Sequence, residues 1–185
     1  MTMPTQQLFT RLTTVHRPDC DLVADDGVLP AAVPDPAQMA AALGSAAAAA
    51  YADECRPLYE DLRRIVGQIA GLAILAQLTG SADVAGLDEL ESCRRRWSAA
   101  AGRLGRLTAP PALAAHRAQI EAAHVFSGRA LGTFPQIRPR GDNEAAFDAI
   151  ARLVRRAYAH LSAASAPRAG LEMVDMTHAC CSCGR

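Results

Sequence analysis

The amino-acid sequence predicts an all-α protein: an antiparallel bundle of four to five helices with an irregular N-terminal arm and a C-terminal tail. Three observations carry that expectation. Half of the residues are hydrophobic but only 4% are aromatic. The apolar content is mostly Ala, Leu, Val and Ile, which suits helices in close contact through small side chains better than a β-sandwich. Apolar residues recur at spacings of three and four, the helical period, and the alternation of a half-buried strand is absent throughout. The chain has 185 residues, the length of one domain with a substantial core, and shows no internal repeat.

Residues 1–35 read as an irregular acidic arm. Pro4, Pro18, Pro30 and Pro34 punctuate it, and Asp19, Asp21, Asp25, Asp26 and Asp35 set its charge. The helical domain is placed at 36–164. Asp35-Pro36 is a helix start, because Asp caps free amides and Pro fits the first turn. An Ala-rich helix should follow to about Asp53. Its Ala46 to Ala50 face would allow close approach to a neighbouring helix or to a second copy of the chain, as in a homodimer. Pro57 either kinks or restarts this helix, since an interior Pro removes a helical hydrogen bond. The first segment is thus either an extension of the next or a fifth element lying across the bundle.

The second stripe comprises Leu58, Leu62, Ile65, Ile69, Leu72 and Ala76, closed by Thr79-Gly80-Ser81. A third runs from about Gly86 to Leu107 through Leu87, Leu90, Cys93, Trp97, Ala101 and Leu104. Its acidic residues come early and its arginines late, the order that the helix dipole favours. Ala109-Pro110-Pro111 breaks the chain sharply. A fourth helix is expected over about 111–131, with Leu113, His116, Ile120, Ala123 and Phe126 or Ser127 on one face. The loop from Gly132 to Asp142 precedes a fifth, about 143–164, with Phe147, Ile150, Val154, Ala157 and Leu161. Residues 165–185 are read as a flexible Cys-rich tail.

Charge and composition exclude several chemistries. Basic and acidic residues balance at 19 each, so no basic excess is available to hold a phosphate backbone, and nucleic acid is not an expected partner. Every basic residue is Arg. Without Lys, a Walker-type phosphate loop, a kinase β3 lysine and a Schiff-base lysine are all ruled out. No G-x-S-x-G, G-x-G-x-x-G or H-E-x-x-H pattern occurs. The N-terminus has no signal-like apolar run, and the most apolar stretch, Ile65 to Leu78, is shorter than the roughly 20 residues that span a bilayer. The expectation is a cytoplasmic protein without a membrane partner. In that compartment clustered thiols point to metal or redox chemistry before disulfides.

Such a cluster stands at the end of the chain. His178, Cys180, Cys181 and Cys183 bring an imidazole and three thiols into six residues. Soft thiolates favour Cu(I), Zn(II) and iron centres, and His can complete the set. Adjacent cysteines chelate one tetrahedral ion awkwardly, so a low-coordinate thiophilic ion fits better than a structural zinc knuckle. His16 and Cys20 are weaker candidates to add ligands, on the ground that chain termini often lie close together. The vicinal pair Cys180-Cys181 resembles the mobile thiol tail of mercuric reductases, which implies passage of a soft metal to another site. Cys181-Ser182-Cys183 is similar to the C-S-C end of the metal claw in nitrile hydratase α-subunits, with His178 at the place of that motif's first Cys. The implied partner is a protein that receives the metal, or an enzyme that modifies the tail. The second possibility is motivated by Thr177, Cys180, Cys181, Ser182 and Cys183, residue types that peptide-modifying enzymes cyclise. The chain would then be a biosynthetic precursor or an accessory helical subunit.

Other residues attract weaker readings. His116 and His124 are eight apart on one helix face, about 12 Å at 1.5 Å per residue, too far to share a metal unaided. With His160 and Cys93 they would line a core site, against the plainer reading of core or boundary histidines. Cys55 and Cys93 are expected to be packing cysteines, since free Cys behaves as a small hydrophobe. Arg94-Arg95-Arg96-Trp97 would grip a phosphate or stack on a base, or else be a solvated face with Trp97 in the core.

Overall fold

A computed structural model describes residues 44–79, 88–138 and 141–173. These form four α-helices: α1 Ala46–Thr79, α2 Asp88–Arg106, α3 Ala114–Leu131 and α4 Glu144–Ala163. The all-α expectation holds, and the described residues contain no strand beyond one isolated bridge, Ala166 with Leu171.

Of the alternatives the sequence leaves open at Pro57, the extension holds: α1 runs for 34 residues through Pro57. At 1.5 Å per residue it is about 50 Å long. Its buried side chains continue on both sides of the proline: Tyr51, Ala52, Cys55, Leu58, Tyr59 and Leu62. Pro57 and Asp53 are exposed, and the proline ring leaves the backbone carbonyl four residues before it without its usual helical donor. One continuous packed face outweighs one missing hydrogen bond, and the segments before and after Pro57 are a single helix. α1 begins at Ala46; the start expected at Asp35-Pro36 lies outside the described residues. Gly44 adopts a left-handed conformation (φ 67°), and the Ser45 hydroxyl accepts from the Ala48 amide at 3.3 Å. Within the Ala-rich start only Ala49 is buried.

α2 matches its predicted bounds within two residues. It opens with Asp88, Glu89 and Glu91 and closes with Arg103 and Arg106. Arg103 pairs with Asp61 and Arg96 with Gln68, so α1 and α2 run in opposite directions. Pro111–Leu113 forms a single 3-10 turn before α3. After α3, a second such turn, Phe134–Gln136, buries Phe134 completely. Asn143 closes the next loop by binding both the amide and the carbonyl of Arg138, at 2.8 and 2.9 Å. α3 and α4 share the most extensive helix contact, and α1 touches all three other helices.

The compact unit does not stop at Ala164. Pro167–Ala169 makes a third 3-10 turn, and Ala166 and Leu171 exchange backbone hydrogen bonds of 2.7 and 3.1 Å. Leu171 and Ala169 enter the core, and Arg63 of α1 donates to the Glu172 carbonyl. Residues 165–173, read from sequence as the start of the tail, therefore belong to the helical unit. A shared core runs through Leu58, Leu62, Ile65 and Ile69 of α1, Leu90 and Cys93 of α2, Ile120 of α3, and Ile150 and Leu161 of α4. The Tyr59 hydroxyl crosses it to donate to the Leu161 carbonyl at 2.8 Å. No helix among the described residues is long and apolar enough to cross a membrane.

Candidate functional site

The thiol-rich set His178, Cys180, Cys181 and Cys183, and the weaker pair His16 and Cys20, lie outside the described residues. The other residues singled out from the sequence lie within them.

His116, His124 and His160 do not converge. Each is the centre of a separate local network. The His116 Nε2 lies 2.9 Å from the Ala164 carbonyl, which can only accept, so Nε2 carries the hydrogen. In the neutral ring Nδ1 then accepts from the Tyr51 hydroxyl, also at 2.9 Å. Tyr51 is buried next to Cys55, and burial pushes its phenol well above the ordinary range. His124 stacks flat on Trp97, with ring centroids 4.6 Å apart and planes 7° from parallel. Two further contacts lock that pair: Trp97 Nε1 donates to the His124 carbonyl at 2.9 Å, and His124 Nε2 donates to the Trp97 carbonyl at 3.1 Å. His160 donates from Nδ1 to the Gln119 side-chain oxygen at 2.7 Å and stacks on Phe126.

The core site expected from His116, His124, His160 and Cys93 is therefore not formed. Helical spacing puts His116 and His124 along one side of α3, but their partners differ: α1 and the chain after α4 for one, α2 for the other. Cys93 contacts α1, its Sγ 4.0 Å from the Ile65 carbonyl. Among the described residues, no three His, Cys, Asp or Glu side chains are grouped so that they could hold a metal ion.

Cys55 and Cys93 are fully buried, as the sequence suggests. Burial raises the Cys55 thiol from its ordinary 9.0 to about 11, against a smaller lowering by Tyr51. Burial also raises Cys93, partly opposed by the Arg96 guanidinium. A thiol held protonated is a poor nucleophile and a poor metal ligand. Both are packing residues.

Two surface features carry charge. A cleft of about 380 Å³ is lined by Glu54 of α1, Arg103 and Arg106 of α2, and Leu107. Its lining mixes both signs, and Arg103 is already paired with Asp61. The second surrounds Phe126 of α3. The Arg156 guanidinium carbon lies 4.6 Å and that of Arg129 5.6 Å from its ring centroid. The sequence reading passed over this group. The spacings that build it, Phe126 to Arg129 and Arg156 to His160, are ordinary helical neighbours. Only the packing of α4 on α3 unites them. The Arg94-Arg95-Arg96 run splits instead: Arg94 pairs with Glu91 at 3.7 Å, Arg95 is exposed, and Arg96 bonds Gln68.

Comparison with protein-family models, with curated proteins and with solved structures gives no match for this chain.

Proposed function

We propose that this protein handles a soft metal ion or thiol chemistry in the reducing cytoplasm. The helical unit serves as scaffold, and His178, Cys180, Cys181 and Cys183 bind or transfer the ion. The observation that carries the reading is the donor set itself: three thiols and an imidazole within six residues. Soft thiolate donors select Cu(I), Zn(II) or Fe over hard cations. The two cysteines of the helical unit support a division of labour, because burial keeps both protonated. Its three histidines are likewise committed to Tyr51, Trp97 and Gln119. The partner is a protein that accepts the ion from the tail.

Competitive titration with Cu(I) and with Zn(II) tests this, comparing the full chain with a truncation lacking residues 176–185. The full chain should bind with higher affinity and at least one additional equivalent. Equal stoichiometry and affinity in both would refute the proposal. Intact mass spectrometry of the protein from its native host tests the alternative of a precursor. A mass change confined to the last ten residues would transfer the function to a modifying enzyme's product.

A further inference from the structure

We infer that Arg129 and Arg156, held on the ring of Phe126, form a binding site for a phosphate monoester group. This is independent of the metal chemistry proposed for the tail. The two guanidiniums come from different helices and meet on one aromatic side chain. Their carbons lie 5.6 and 4.6 Å from the ring centroid, so their separation cannot exceed the sum of those distances. Both side chains are exposed. Four ion pairs join described residues, and none of them engages Arg129 or Arg156. Arg152 and Arg155, also exposed on α4, add positive charge nearby in sequence and have no carboxylate in those pairs.

The ring is a fixed platform. His160 stacks on Phe126 with planes 5° from parallel and centroids 5.3 Å apart, and its Nδ1 is anchored by Gln119 at 2.7 Å. Attraction between a guanidinium and an aromatic face restrains each arginine without neutralising it. The C-terminal end of α3 carries only about half an elementary negative charge, which Arg129 alone more than offsets. Arg156 sits one turn before the last turn of α4 and retains its charge. The pair is thus pre-organised and electrostatically unsatisfied.

The shape of the pair selects the anion. One carboxylate is filled by one bidentate guanidinium. A phosphate monoester has three terminal oxygens and close to two negative charges, so it can bridge two forks. The group could be carried by a small metabolite or by a phosphorylated side chain, and both present the same chemistry to the site.

Titration of the full chain with inorganic phosphate, followed through the arginine Nε–Hε resonances at constant ionic strength, tests the inference. Two resonances should shift saturably, and they should be the two that disappear in Arg129→Gln and Arg156→Gln. Each substitution should weaken phosphate binding at least tenfold, while Arg106→Gln in the other cleft should leave it unchanged. Arg156→Lys should also weaken it, because an ammonium keeps the charge but loses the fork. Parallel titrations with O-phosphoserine and glycerol 3-phosphate then separate the two sources by relative affinity. Linear shifts without saturation, or affinities unaltered by both Gln variants, would overturn the inference. Because both arginines are exposed, thermal unfolding of the variants should match that of the parent.

Discussion

Replacing Gly128 with alanine adds one methyl group to α3 directly against Trp97 of α2. A Cβ there would lie 2.5 Å from Cζ2, 2.7 Å from Cε2 and 3.0 Å from Nε1 of Trp97. Carbon atoms in good contact are about 3.5–4.0 Å apart, so the indole must retreat by roughly 1 Å. It has little freedom to do so. Its Nε1 donates to the His124 carbonyl at 2.9 Å, and its face is stacked on the His124 ring. Retreat either breaks that hydrogen bond, costing about 1 kcal/mol, or separates α2 from α3. Overpacking of this kind costs about 1–3 kcal/mol. Alanine is the better helix former by about 1 kcal/mol, which offsets part of the cost. The expected net effect of Gly128→Ala is a loss of up to about 2 kcal/mol, or several degrees in Tm for a chain of this size. Gly71, in α1, supplies the control. A Cβ there meets nothing within 4 Å, so Gly71→Ala should instead stabilise by about 0.5–1 kcal/mol. Urea unfolding followed by far-UV circular dichroism measures both. Trp97 is the one tryptophan of the chain, so its fluorescence reports the displacement directly. A Gly128→Ala protein as stable as the parent, with unchanged emission, would refute the close packing of Trp97 on α3.

Further outcomes follow from the same packing. Pro57→Ala should stabilise by about 1–2 kcal/mol in urea unfolding: an interior proline costs up to about 3 kcal/mol in a helix, and part of that is returned through the more constrained unfolded chain. Tyr59→Phe should cost about 1 kcal/mol, because it removes the hydroxyl that donates to the Leu161 carbonyl, while that carbonyl keeps the Ala164 amide. The Cys55 thiol titrates near 9.0 when unfolded and about 11 when folded, so the unfolded chain loses its proton first. Stability should hold below pH 9 and fall as the pH rises through 11, and Cys55→Ala should flatten that decline by up to about 2 kcal/mol in urea midpoints compared at pH 8 and 10.5. Brief iodoacetamide treatment at pH 8 followed by peptide mapping should leave Cys55 and Cys93 unmodified in the native protein and label both after denaturation. Rapid native labelling of either would contradict their burial.

The amino-acid sequence by itself determined that the described unit is helical and, to within a few residues, where α2, α3 and α4 lie. Leu58, Leu62, Ile65, Ile69, Leu72 and Ala76 repeat with the helical period, and all six are buried on α1. Pro110, Pro111 and the Gly132–Asp142 stretch interrupt the pattern, and the chain leaves the helix at both. These are local properties, set by backbone sterics and by the spacing of apolar side chains along one segment. The packing role of Cys55 and Cys93 was legible because free Cys behaves as a small hydrophobe, and Cys93 also falls on an apolar stripe. The donor set at His178, Cys180, Cys181 and Cys183 is also plain in the sequence, because its four residues are neighbours in the chain.

Tertiary structure decided what local pattern could not. Whether Pro57 ends a helix depends on whether the flanking faces share one core, and here they do. Whether His116 and His124 meet depends on which helix packs against each turn of α3. Tyr51 and the Ala164 carbonyl take one, and Trp97 takes the other. Gly128 reads as an unfavourable helix residue until α2 places an indole against it. Arg129 and Arg156 read as two solvated charges until α4 lies along α3 and Phe126 brings them together. In each case the deciding partner is distant in sequence, and its position follows from the packing of whole helices.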